Sequence, residues 1–163
     1  MLAPPSSGGA ARLREARLLA LLLPAGLLGG ALFSQYVGGL HPCEMCHWQR
    51  WPHGAAILLA LGAMVARTNP SRSQVLVLLA ALAIAVSGAI GAFHAGVERG
   101  LWEGITTCTA TRAGSLEDIM NVPLVRCDQV PWSFVGISMA GWNAILSLGG
   151  AALIALLATR RPA

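Results

Sequence analysis

The chain has no lysine, a single tyrosine and only seven carboxylates, and charged residues of either sign make up 11% of its 163 positions. A water-soluble domain of this size needs far more charge to cover its surface, so the deficit excludes an ordinary soluble fold. Its eleven basic residues are all arginine and sit scattered in short segments, which excludes the clustered basic footprint of a nucleic-acid binder. Internal repeats and glycine-rich phosphate loops are missing as well. What the chain has instead is apolar residue, 55% of the total.

Those residues gather into runs of membrane-crossing length. Residues 1–9 are small and rich in Pro, Ser and Gly, and with the next few form an expected disordered tail, 1–15. After Arg12, Arg14 and Arg17, a run from about Leu18 to Val37 is long enough for a bilayer core of roughly 30 Å. A cleaved signal peptide is the rival reading of this run, but three further spans follow and a multi-pass chain can keep its first span. The second span begins near His47 if it is to cross, with Pro52 in its early turns, where a proline loses little. The third covers about Gln74 to His94. The fourth covers about Trp132 to Ala158, with Trp142 and Asn143 as its bulky or polar interruptions. Gly149, Gly150 and the cluster Gly26, Gly29 and Gly30 read as close-packing positions between helices.

Arginine placement sets the orientation. Arg12, Arg14, Arg17, Arg67, Arg72, Arg160 and Arg161 fall on one side of four spans, the cytoplasmic side by the positive-inside rule. The expected fold is therefore an all-α membrane protein, an antiparallel four-helix transmembrane bundle over 16–158 with a short cytoplasmic tail at 159–163. Both termini lie inside and two cysteine loops face outward. Most aromatic residues sit at or beyond the outer ends of the spans, Trp142 being the exception, which suggests an outer interface that holds a flat apolar ligand. In the second outer loop, Ser115 to Asp118 resembles a capping box, with Leu116, Ile119 and Met120 on one helical face.

The outward loops hold the chemistry. Cys43-Glu44-Met45-Cys46 is a Cys-x-x-Cys pair at the mouth of a helix, where unpaired N–H groups favour a thiolate. A helix running inward from about His47 puts Arg50 one turn beyond Cys46 on the same face, a fixed cation beneath the sulfur. Cys108 and Cys127 lie in the other loop. Static bridges are disfavoured, because a two-residue spacer closes too small a loop to brace anything yet suits exchange. Cys43-x-x-Cys46-His47 also spells the c-type haem attachment pattern, making a membrane-anchored haem electron-transfer protein the alternative. Covalent haem would consume both thiols and leave Cys108 and Cys127 unexplained. A zinc site across the loops has no spacing to support it, so no metal is expected. His94 ends the third span at about the depth of Cys46 and Arg50, and an ionisable side chain at that depth is a functional candidate. His41, His47 and His53 read as interfacial polar residues, although His53 can share the face of Cys46 and Arg50.

Four spans, the Cys-x-x-Cys followed by Arg50, His94 at the end of span three and the spaced pair Cys108 and Cys127 together resemble the bacterial disulfide-bond-formation protein B (DsbB) family. The phrases Gln49-Arg50-Trp51-Pro52-His53, Phe93-His94-Ala95-Gly96-Val97-Glu98 and Val130-Pro131-Trp132 to Trp142-Asn143 look like one branch of it. The resemblance covers roughly 16–158. It implies a thiol:quinone oxidoreductase in the bacterial inner membrane, with its cysteine loops in the periplasm. It also implies a soluble thioredoxin-like partner oxidase of the DsbA type, reoxidised through Cys108 with Cys127 as exchange mate. The pair Cys43 and Cys46 then passes the electrons to membrane quinone, ubiquinone or menaquinone, with Arg50 and His94 matching the family's quinone-proximal arginine and histidine. The interval between Cys108 and Cys127 looks short for the family and puts the loop's surface helix in question.

Overall fold

A computed structural model describes residues 7–105 and 125–160. Cys108 and the expected helix around Ser115 to Met120 lie outside the described residues. Four long helices dominate the rest: α1 (Ser7–Tyr36), α2 (Glu44–Val65), α3 (Pro70–Glu98) and α4 (Met139–Thr159). A single 3-10 turn, Ala66–Thr68, joins α2 to α3. A two-stranded antiparallel hairpin, β1 (Ser133–Phe134) and β2 (Ile137–Ser138), precedes α4.

Local sequence explains most of these boundaries. Asn69 caps α3, its side chain accepting from the Arg72 amide at 3.1 Å, with Pro70 in the first helical turn. Gly100 ends α3 with φ +68°, and the bonds Gly100 N–H to Val97 O and Leu101 N–H to Gly96 O close a Schellman motif. Ser138 caps α4 by accepting from the Gly141 amide at 3.1 Å.

Three expectations change. Helix α1 begins at Ser7, inside the segment read as a disordered tail, because Ala10, Ala11, Leu13 and Ala16 carry the helix outward ahead of the apolar run. The fourth helix starts at Met139 and not near Trp132, because Val135 and Gly136 (φ 52° and 73°) make a two-residue turn that pairs Ser133–Phe134 with Ile137–Ser138. Trp142 therefore lies in the opening turns of α4 at the cysteine end, where the other aromatics are. Helix α2 starts at Glu44 and not near His47, and it runs unbroken through Pro52, which therefore sits beyond its second turn.

Helices pack in the cycle α1–α2–α3–α4–α1. Their interior is built from small side chains, with Ala16, Ala20, Ala56, Ala60 and Ala80 fully buried, while Leu22, Leu58, Leu82 and Val65 point outward and are more than half exposed. That is the inverse of a soluble core. Small residues let helix backbones approach closely, and large apolar side chains suit a lipid exterior. Helices α1, α3 and α4 are each long and apolar enough to cross a membrane. Helices α3 and α4 approach closely at Gly91, where an added Cβ would fall 2.9 Å from Asn143 Nδ2 and 3.0 Å from Ala140 O. The glycine expectation divides: Gly150 packs against Leu23, whereas Gly26, Gly29, Gly30 and Gly149 have nothing within 4 Å of a built Cβ.

Candidate functional site

The first turn of α2 builds the sulfur pair. Cys43 is the helix N-cap, its sulfur accepting the Cys46 amide at 3.3 Å, and it donates its own S–H to Cys46 Sγ at 2.9 Å. The capping done here by sulfur is what moves the helix start from the expected His47 to Glu44. Cys46 then lies within the first turn, among N–H groups that favour a negative charge. The Cys43 thiol is pushed well above its ordinary range, first by its bond to the Cys46 sulfur and next by burial. The pair is asymmetric: Cys43 is the donor of the sulfur–sulfur hydrogen bond and Cys46 its acceptor.

His94, buried near the end of α3, stands against this pair with Nε2 3.6 Å from Cys43 Sγ. Its tautomer follows from a chain of side chains anchored on backbone carbonyls, which can only accept. Asn143 Nδ2 donates to Ser87 O at 3.2 Å and to Gln49 Oε1 at 2.8 Å. Gln49 Nε2 donates to Met45 O at 3.1 Å and so also donates to His94 Nδ1 at 2.9 Å. His94 Nδ1 is an acceptor, and the ring proton sits on Nε2, toward the sulfur. Glu98 buries its carboxylate 3.9 Å from His94 Nε2 and accepts from Ser138 Oγ.

Cys127 is buried in one cluster with Cys43, Met45 and Val97, and its sulfur is a hydrogen-bond neighbour of Cys43. Two cysteines far apart in sequence are thereby brought together. The pairing of Cys108 with Cys127 lies outside the described residues. Arg50 reaches across to α1, donating to Gln35 Oε1 and, at 3.4 Å, to Ala31 O.

Cys43, Cys46, Gln49, Arg50, His53 and His94 all line one cavity of about 1020 Å³. Gly26 and Gly30 form part of its α1 wall, which explains the open space beside them. Phe33, Trp132, Phe134 and Trp142 also line it. Trp132 stacks nearly parallel on Phe134 with centroids 6.2 Å apart, and Trp142 Nε1 donates to Phe134 O at 3.1 Å. An apolar cavity with a few convergent polar groups has the make-up of a small-ligand pocket.

Sequence reasoning missed Gln49, Ser87, Glu98 and Asn143. A signal was available: Gln49 with His53, and Asn143 with Ser147, are polar residues four apart on otherwise apolar helices.

The family model "Disulfide bond formation protein DsbB" matches residues 13–157. Among curated relatives named disulfide bond formation protein B, that of Polaromonas sp. is 32% identical over 89% of this chain and 94% of its own length. That of Hahella chejuensis is 27% identical over 91% and 95%, and that of Xanthomonas oryzae pv. oryzae 30% identical over 81% and 82%. No solved structure matches. Nothing among these relatives supports the covalent-haem alternative.

Proposed function

The chain belongs to the disulfide bond formation protein DsbB family, and from that premise we propose that it is a dithiol:quinone oxidoreductase reoxidising a periplasmic thioredoxin-like oxidase of the DsbA type. In this reading α2 is a fourth span, since its 22 residues reach about 33 Å at 1.5 Å per residue. The arginine end is cytoplasmic, the cysteine end periplasmic, and the membrane is the bacterial inner one. What carries the reading is that the Cys43–Cys46 pair meets both Cys127 and the aromatic-lined cavity.

The electron path starts with both pairs as disulfides. A partner thiolate attacks Cys108, forming a mixed disulfide and releasing Cys127 as a thiolate. Cys127 neighbours Cys43 and attacks it; the Cys43–Cys46 bond breaks, and Cys46 leaves as a thiolate stabilised by the helix start. The partner's second thiolate then attacks the partner sulfur bound to Cys108, closing the partner's disulfide and expelling Cys108, which attacks Cys127 and leaves Cys43 to take a proton. A quinone in the cavity supplies an acceptor for two electrons and two protons. Arg50 offers a fixed cation where negative charge builds, and His94 holds an N–H beside the Cys43 sulfur.

Reduced, purified protein mixed anaerobically with decylubiquinone tests this. Cys43 and Cys46 become a disulfide as one equivalent of quinol appears, and Cys108→Ser keeps that step while losing partner oxidation. Thiols that stay reduced in the presence of quinone would refute the assignment.

A further inference from the structure

Among the described residues, two buried side-chain atoms have no hydrogen-bond partner: Arg50 Nε and His53 Nδ1. Both residues line the same cavity and lie three apart on α2. Arg50 offers an N–H donor. The character of His53 Nδ1 follows from its other nitrogen. His53 Nε2 lies 2.9 Å from Asn143 Oδ1, an atom that only accepts because Asn143 Nδ2 is committed to the carbonyl of Ser87. Ser147 Oγ donates to the same Oδ1 at 2.9 Å, and Ser87 Oγ, 2.9 Å from His53 Nε2, spends its own proton on Gln49 O at 2.8 Å. The proton of the neutral ring is therefore on Nε2, and Nδ1 is a bare lone pair. Only 3% of His53 is exposed.

A buried acceptor in a ligand cavity is matched by a ligand that donates there. We propose that His53 binds the hydroxyl of the reduced quinone, so that the cavity discriminates quinol from quinone; this rests on the function proposed above. The chemistry supplies the donor. When Cys43 and Cys46 close their disulfide, two electrons and the Cys43 proton leave the pair, and water supplies the second proton because Cys46 starts as a thiolate. The same two electrons and two protons convert two ring carbonyls into two hydroxyls. A carbonyl oxygen has no proton to give Nδ1, whereas a hydroxyl has one. His53 lies two helical turns deeper than Cys46 on the same face of α2, since seven residues nearly complete two turns. It thus rewards the state reached only after the electrons have arrived.

Binding to the oxidised protein, followed by titration calorimetry, tests this without turnover. Wild type should bind decylubiquinol about three- to tenfold more tightly than decylubiquinone, the span of one net hydrogen bond. The dimethyl ether of the quinol, which cannot donate, should bind no better than the quinone. His53→Leu should abolish the preference, and His53→Gln, with one amide atom to donate to Asn143 and one to accept, should restore it. Equal wild-type affinity for quinol and its ether overturns the proposal, even if His53→Leu does not fold. A preference surviving in folded His53→Leu overturns it too. A wild-type protein that binds neither quinone nor quinol sinks the underlying function instead.

Discussion

At the scale of single residues, the site is governed by which sulfur holds a proton. Cys43 is held above its ordinary range chiefly by the Cys46 sulfur, with burial second, so removing that sulfur should bring it part of the way down. In Cys46→Ala the pH at which Cys43 reaches half its maximal alkylation rate should fall relative to the reduced wild type. An unchanged profile would mean that burial alone sets it. The linkage sign follows: a thiol raised in the fold stays protonated while its unfolded counterpart ionises, so the reduced protein loses stability as pH rises above the ordinary thiol range. The sequence brings Cys43, Cys46 and Arg50 forward by their spacing and His94 by its depth at the end of the third span. It did not disclose Gln49, Ser87 and Asn143, because their meaning arises from bonds between α2, α3 and α4, and a one-dimensional spacing does not record which helices are neighbours.

Individual helices show why glycine needs structure to be read. Gly26 and Gly30, read from sequence as close-packing positions, differ in the fold from Gly88 and Gly91 of α3. In the fold, Gly88 and Gly91 admit α4 against α3, with Ser147, Leu148 and Asn143 within 3.1 Å of their built Cβ positions. Gly26 and Gly30 instead face the cavity. Gly91→Ala should lower stability by about 1–3 kcal/mol, the usual cost of overpacking, and disturb the Asn143 bonds. Gly30→Leu should melt near wild type yet weaken decylubiquinone binding by tenfold or more, by filling the cavity. Thermal unfolding in detergent alongside titration calorimetry separates the two; equal effects on both readouts would contradict the division. Helix ends were partly legible for the same reason of locality. Asn69-Pro70 and Gly100 are local stops that any reading can use, but the hairpin before α4 depends on Val135 holding a positive φ that a β-branched residue seldom adopts.

Across the whole molecule, Arg12, Arg14, Arg17, Arg67, Arg72 and Arg160 cluster at the end of the helices opposite the cysteines, and the orientation proposed from them is open to direct test. Cys43 and Cys127 are buried, so probes are better placed elsewhere. With the native cysteines replaced, His41→Cys should react with a membrane-impermeant maleimide in intact spheroplasts and Thr68→Cys only after lysis. The reverse pattern would invert the topology. The long apolar runs and the arginine asymmetry were readable from the order of residues, because a bilayer imposes length and charge on a sequence directly. The start of α2 was not, because it depends on a sulfur acting as its cap. That cap makes one atom serve two masters. The Cys43 sulfur that fastens the opening coil of α2 is also the hydrogen-bond partner of the Cys46 sulfur, so whatever bonds that one atom makes bear on how firmly the second helix is laced at its top.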